Sequence, residues 1–404
     1  MKGTLASILI VITLCGFASS AIADQIFVDP ESSTIQAAID VACDGDEVLV
    51  APGVYEEAID FLGKDIVVRS TDGAQVTMID ASGYETSAVV IENNWAANTR
   101  LDGFTITGGS GKLRGGKPRG GGVYAEESMP TIANCVISGN TAAGGGGLSL
   151  VYCWTTVIDC VFMQNTATNG GDLGGAGIQS TWGSVTIVNC DFVENTGTGT
   201  AQGGGVCVDA GDAVITNCRF WGNDAFCGGG VANLASDFVI TNCSFANNTA
   251  GYGGGALMAA YGGADTLITN CILWGNSSQN YDDEIHEEAG PDTVVRYSNV
   301  RGGWEGEGNI DVDPLFRDAE NGDLTLLDGS PCIDAGDNSA LPPDDYDMDG
   351  DGDFDEPIPF DLAYPHQARI VFGGGGGGAM PFHQSRALFH AIARVDMGAY
   401  EYQP

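Results

Sequence analysis

The residues best spaced for chemistry lie near the C-terminus. The run DYDMDGDGDFDE sets Asp345, Asp347, Asp349, Asp351 and Asp353 at alternate positions, with Gly350 sixth and Glu356 twelfth. This is the ligand spacing of an EF-hand loop, where oxygen donors recur at every second residue, a glycine permits the sharp turn and a terminal glutamate closes the shell. Without a cation the segment repels itself, so bound calcium is the expectation. Pro357 and Pro359 forbid an exit helix, which makes the expected site a static clip rather than a sensor. The competing reading is a solvated acidic loop.

Other chemistry is sparser. Asp191 and Arg219 occupy equivalent places in consecutive repeats, one strand spacing apart, and are the best candidates for the carboxylate and base of a polysaccharide lyase. The same pair also reads as a plain cross-strand ion pair. Hydrolysis by clustered aspartates with a histidine is poorly supplied, since the repeat region holds only His286. Trp221 and Trp274 stand at the same outward place two repeats apart, roughly 9.5 Å if strands stack normally, a spacing at which flat rings stack on alternate sugars. Met163 and Val193 at that place admit the other reading, a row covered by loops. Lys112, Arg114, Lys117 and Arg119 fall within eight residues and form a basic patch for an acidic polysaccharide, or a solvated loop. His366, His383 and His390 lie irregularly beside the glycine run at residues 373–378, where a linker is a better reading than a metal cluster.

These side chains sit in a chain of 404 residues with 15 Lys plus Arg against 54 Asp plus Glu, a net charge of −39. Nucleic acid and anionic membrane are poor partners for such a surface, and cations are good ones. Only 17% of residues are charged and 61 are glycine, a composition that suits a repeat better than disorder or an ordinary α/β enzyme.

The repeat is explicit. Cys135, Cys160, Cys190, Cys218, Cys243 and Cys271 follow one another at solenoid intervals. Three residues before each is Ile or Val; one before is Asn, or Asp at Asp159; five after is Asn in every case. A glycine-rich stretch and a second apolar strand follow. A coil of this length cannot bury its apolar face alone, but stacked coils close a continuous core. The Asn before each Cys suits a left-handed bend and side-chain stacking; the glycines let strand turn into strand with no helix between. Ladder cysteines then point inward as thiols, because the strand spacing exceeds the Cβ separation of a disulfide. Thr34 to Cys43, apolar at helical spacing, is the exception and caps the open end of the stack. Strands are expected at Thr293 to Val300 and Asp323 to Leu327.

TIQAAIDVACDGDEVLVAPGVYEE (Thr34 to Glu57) resembles the opening segment of bacterial pectate-lyase-like β-helix proteins. The FxxN motif followed by GGA or GGG, as from Phe245 to Leu257, resembles the repeats of polymorphic outer-membrane proteins, a family of surface adhesins. The end, SNVRGGWEGEGNIDVDPLF, GSPCIDAGD and VDMGAYEYQP, resembles the choice-of-anchor module of secreted β-helix proteins, interrupted here by the acid-free residues Leu362 to Val395. These resemblances imply an all-β, right-handed, single-stranded parallel β-helix with an N-terminal capping helix. They imply little about activity, since the fold hosts lyases, hydrolases, adhesins and inert surface proteins.

The expected organisation is a signal peptide over 1–23, with Lys2, an apolar stretch from Leu5 to Phe17 and a small-residue cleavage site at Ala21 to Ala23; a cap over 24–47; the β-helix over 48–330; and a C-terminal module over 331–404. No later stretch is apolar enough to span a bilayer. The functional expectation is a secreted or cell-surface, non-catalytic β-helix that contacts a polysaccharide or cell-surface glycan. A pectate-lyase-like polysaccharide lyase and a structural coat protein are the alternatives.

Overall fold

A computed structural model describes residues 23–168, 174–261, 265–288, 293–341, 343 and 395–399. Residues 1–22 of the stretch expected to be a signal peptide, the run Asp345–Glu356 expected to bind calcium, and the glycine- and histidine-bearing stretch lie outside these residues.

The chain is an all-β parallel solenoid. One coil runs Leu148–Val151, Trp154–Ile158, Val161–Met163 and Thr166–Ala167, and the next begins at Ile178–Thr181. Each strand pairs in register with its equivalent in the coils before and after, which builds parallel sheets of nine, eleven, ten and six strands in the order the chain visits them. The corner between the eleven- and ten-stranded sheets is the left-handed residue before each ladder cysteine: Asn134, Asp159, Asn189, Asn217, Asn242 and Asn270 have φ between 52° and 57°. Asn is among the few residues that adopt this region at low cost.

Turning the backbone there sends the cysteines inside. All six are buried, and the N–H of each donates to the Sγ of the next, from Cys135 to Cys160 at 3.5 Å through to Cys243 to Cys271 at 3.4 Å. Burial pushes the thiols of Cys135, Cys160, Cys190, Cys218 and Cys271 well above their ordinary pKa, which disfavours the reactive thiolate. None of the eleven cysteines among the described residues is in a disulfide. Beside them Phe162, Phe192, Phe220 and Phe245 stack with ring centroids 4.5–5.1 Å apart.

The second ladder is polar. Asn140, Asn165, Asn195, Asn223, Asn248 and Asn276 are buried, and each of the first five donates both its N–H and its Nδ2 to the Oδ1 of the next, as Asn195 does to Asn223 at 3.1 and 2.9 Å. Nδ2 also reaches a carbonyl of the preceding coil, Asn223 to Phe192 at 2.8 Å. Every hydrogen-bonding group of the amide is thus used, which is what makes a buried Asn tolerable. Glycine follows because nothing else fits: a Cβ on Gly205 would stand 2.7 Å from both the Gly230 carbonyl and the Phe220 ring.

The N-terminal end is closed by the helix Ile35–Val41, within the stretch expected to be helical. Thr34 caps it through Ala37 N–H at 3.1 Å, the Glu57 carboxylate accepts the N–H groups of Ile35 and Gln36 at 2.8 and 3.0 Å, and Lys64 Nζ donates to the carbonyls of Ile39, Asp40 and Ala42 at 2.6–2.9 Å. An anion at the N-terminus and a cation at the C-terminus both suit the helix dipole.

The far end departs from expectation. Thr293–Arg296 and Asn299–Val300 continue the stack, but Asp323–Leu326 does not: it pairs antiparallel with Phe316–Asp318 and folds back along the flank. There it lies on the outer face of the ten-stranded sheet, where Leu324, Leu326, Cys332, Met397 and Ala399 pack over Ala246 and Ile272.

Candidate carbohydrate-binding groove

The corner between the nine- and eleven-stranded sheets carries a groove, and its geometry follows from the repeat. The residue that turns this corner is again left-handed, with φ of 52° at Tyr152, 56° at Trp182, 53° at Ala210, 55° at Ala235 and 64° at Tyr261. All five side chains are exposed. Two residues later the eleven-stranded sheet begins, and its first outward position gives the in-register column Trp154, Ser184, Asp212, Asp237. Between the rows the floor is Gly183 and Gly211, where a Cβ would collide with the carbonyl oxygens of Cys153 and Gly183 in the preceding coil. The result is an open trough of about 490 Å³, lined by Trp154, Trp182, Gly183, Ser184, Ala210, Gly211, Asp212, Ala235 and Asp237.

One end of the trough is aromatic. Tyr152 stacks on Trp182 with centroids 5.1 Å apart and planes 19° from parallel, and Trp154 leans on Trp95 at 5.4 Å. The four side chains are 43–51% exposed, so the rings brace one another and still present area to solvent. Large apolar rings fixed in the open mark a binding surface more often than a folding requirement. The other end is acidic: Ser184 Oγ donates to Asp212 at 3.4 Å, and Asp237 accepts the N–H of Asp265 at 3.0 Å. No Lys, Arg or His is among the described residues that line the trough.

The residues singled out from sequence lie elsewhere. Asp191 and Arg219 are in register as expected, and they form a bidentate ion pair, Nε to Oδ1 at 2.7 Å and Nη2 to Oδ2 at 3.1 Å, while Nη1 donates to the Gly322 carbonyl. The guanidinium fastens the returning C-terminal segment, and the geometry of a free base over a substrate is absent from this pair. Trp221 and Trp274 are not an open platform. Trp221 Nε1 donates to the Ala319 carbonyl at 2.8 Å and its ring packs with Phe316 and Leu324, while Trp274 packs with Leu326, Cys332 and Met397. The segment that partly covers them is too distant in sequence to follow from the repeat.

Lys112, Arg114, Lys117 and Arg119 form an antiparallel hairpin, Lys112–Arg114 against Lys117–Arg119. Lys112 pairs with Glu92 and lies 5.9 Å from the centre of the Tyr124 ring; Arg114 pairs with Glu126, which also accepts from Tyr124 Oη at 2.8 Å. Two of the four charges therefore pin the hairpin to the nine-stranded sheet. His286 faces Asp282 at 3.1 Å within a cluster of Tyr252 and Tyr281. Among the described residues no group of three or more His, Cys, Asp and Glu is arranged to hold a metal.

Trp95, Tyr152, Trp154 and Trp182 escaped the sequence reading. A signal was present: counted back from the ladder cysteines, Tyr152 and Trp182 share one place, and Trp154, Ser184, Asp212, Asp237 and Asp265 share another.

Residues 121–290 match the family model for a right-handed β-helix region, in keeping with the hand that parallel strand crossovers adopt. Among solved structures the chain is similar to pectate lyase Pel9A, at 12% identity over 95% of this chain and 97% of that one with a TM-score of 0.46, and to a pectin methylesterase mutant crystallised with a hexasaccharide, at 10% identity over 76% and 99% with a TM-score of 0.31. No curated protein sequence matches. No helix among the described residues is long and apolar enough to cross a membrane.

Proposed function

We propose that this protein is an exported, non-catalytic β-helix that binds a polysaccharide or cell-surface glycan along the corner trough. The carrying observation is the pair of braced, half-exposed aromatic couples, Trp95 with Trp154 and Tyr152 with Trp182. Pyranose rings present flat faces of C–H groups that stack on such side chains, and successive coils advance by about 4.8 Å, close to the rise per sugar of an extended chain. A lyase reading draws less support, because Arg219 is already held on three sides. Adhesion at a cell surface accords with the sequence resemblances, a calcium clip at Asp345–Glu356 accords with the ligand spacing of that run, and both belong to the same reading.

The test is a glycan-array screen followed by calorimetry. Wild type is expected to bind a pyranose oligomer that Trp154→Ala with Trp182→Ala weakens at least about tenfold, the scale of losing a stacked aromatic contact. An unchanged affinity in the double variant, with both proteins folded, rejects the trough as the site.

A further inference from the structure

We infer that Asp212 and Asp237 set the charge specificity of the trough, so that it takes an amine-bearing pyranose chain best, a neutral one less well, and a uronate chain worst. This rests on the reading of the trough as a glycan site and adds the class of glycan. The aromatic half supplies affinity for any pyranose, since stacking is indifferent to charge. Discrimination must come from the other half of the lining, where the only ionisable side chains are the two carboxylates. They sit in adjacent coils of one column, and Asp265 in the coil beyond donates its N–H to Asp237. A chain stacked on Trp182 and continuing along the coils passes directly over them.

Uronate carboxylates would meet like charges with no Lys, Arg or His among the described lining residues to offset them, and the long-range field of a chain with net charge −39 adds to the penalty. Glucosamine-type ammonium groups would meet acceptors. Discrimination by repulsion is an ordinary source of specificity. The basic side chains that an acidic glycan would need stand instead on the Lys112–Arg119 hairpin, where Lys112 and Arg114 are taken up by Glu92 and Glu126.

The experiment is calorimetry of the full chain with glucosamine, glucose and galacturonate oligomers of equal length, in EDTA and at two salt concentrations. The variants are Trp182→Ala, and Asp212→Asn with Asp237→Asn. The expected order for wild type is amine above neutral above uronate, with only the amine oligomer weakened by salt. The double Asn variant should lose affinity for the amine oligomer by roughly fivefold or more, gain for the uronate, and change the neutral oligomer least of the three. Trp182→Ala should weaken all three, which separates the trough from adsorption of cationic polymer elsewhere on an acidic surface. If wild type prefers the uronate in a Trp182-dependent way, or if the double Asn variant keeps the wild-type order, the inference falls and glycan binding stands. If no oligomer shows Trp182 dependence, the trough itself is rejected.

Discussion

Glu284 ends the asparagine ladder at Asn276. Its carboxylate takes the place of the next coil's amide, accepting Asn276 Nδ2 at 2.6 Å and the N–H groups of Gly275 and Asn276 at 2.9 and 3.3 Å. Burial pushes its pKa up to about 7, against the lowering effect of those donors.

A raised pKa in a folded carboxylic acid means that the folded state holds a proton the unfolded chain has lost. The associated stability is fully present below the ordinary value of 4.5 and is lost as pH rises through about 7. The size is on the order of 3 kcal/mol. Glu284→Gln should therefore match wild type near pH 4.5 and exceed it at pH 8, with the gap opening between. Denaturant midpoints of both proteins across that range measure it, and a constant gap would show that Glu284 is ionised throughout.

The two internal ladders should respond differently to substitution. Cys218 lies among carbonyls, its Sγ 3.2 Å from the Thr216 oxygen, and Ser298 already does the same work one ladder place beyond Cys271, accepting its N–H at 3.0 Å and donating to Arg296 at 2.8 Å. A serine hydroxyl is thus satisfied there, and Cys218→Ser should cost no more than about 1 kcal/mol. Asn223→Ala strands two donors of Asn195 and the carbonyl of Phe192, and should cost about 3 kcal/mol or more. Equal midpoints for the two variants would contradict this account.

Arg219→Ala should free the flank without unfolding the core. Loss of the contacts to Asp191 and Gly322 leaves Trp221 and Asn247, each bonded to the Ala319 carbonyl, to hold the returning strand. Amide exchange at Leu324 and Leu326 should accelerate roughly tenfold while Phe220 and Phe245 stay protected. Pectate incubated with wild type or variant should yield no unsaturated product; its appearance with wild type alone would restore the lyase reading.

Calcium binding at Asp345–Glu356 is tested by calorimetry on the full chain. Wild type should give heat at a dissociation constant of roughly 10⁻⁴ to 10⁻³ M or tighter, abolished by Asp349→Ala with Glu356→Gln. No heat from wild type, or an unaltered isotherm in the variant, removes the clip.

Much of the fold was legible because every coil states the same instructions. Cys–Asn spacing gave the period, the residue before each cysteine gave the left-handed corner, and the cysteines gave the interior. The groove was harder to read because its aromatics occur in only some coils, so they look like scatter until aligned on the ladder. The partial covering of Trp221 was out of reach for another reason: its partner Ala319 lies 98 residues away, and nothing in a repeat says which face a later segment will cover. Glu284 was obscured by its surroundings, one acid in the stretch DDEIHEE.

The asparagine and cysteine ladders also have a direction, since each coil gives its N–H groups to the side chain of the next. Any interior coil is therefore interchangeable with its neighbours, and the core itself contains no information about how many there should be. Length is specified only at the termini, by the helix held between Glu57 and Lys64 and by Ser298 and Glu284, which accept the last donors. A lineage could lengthen or shorten this protein by whole coils without redesigning its interior. The trough would change with it, gaining or losing aromatic and acidic places one coil at a time.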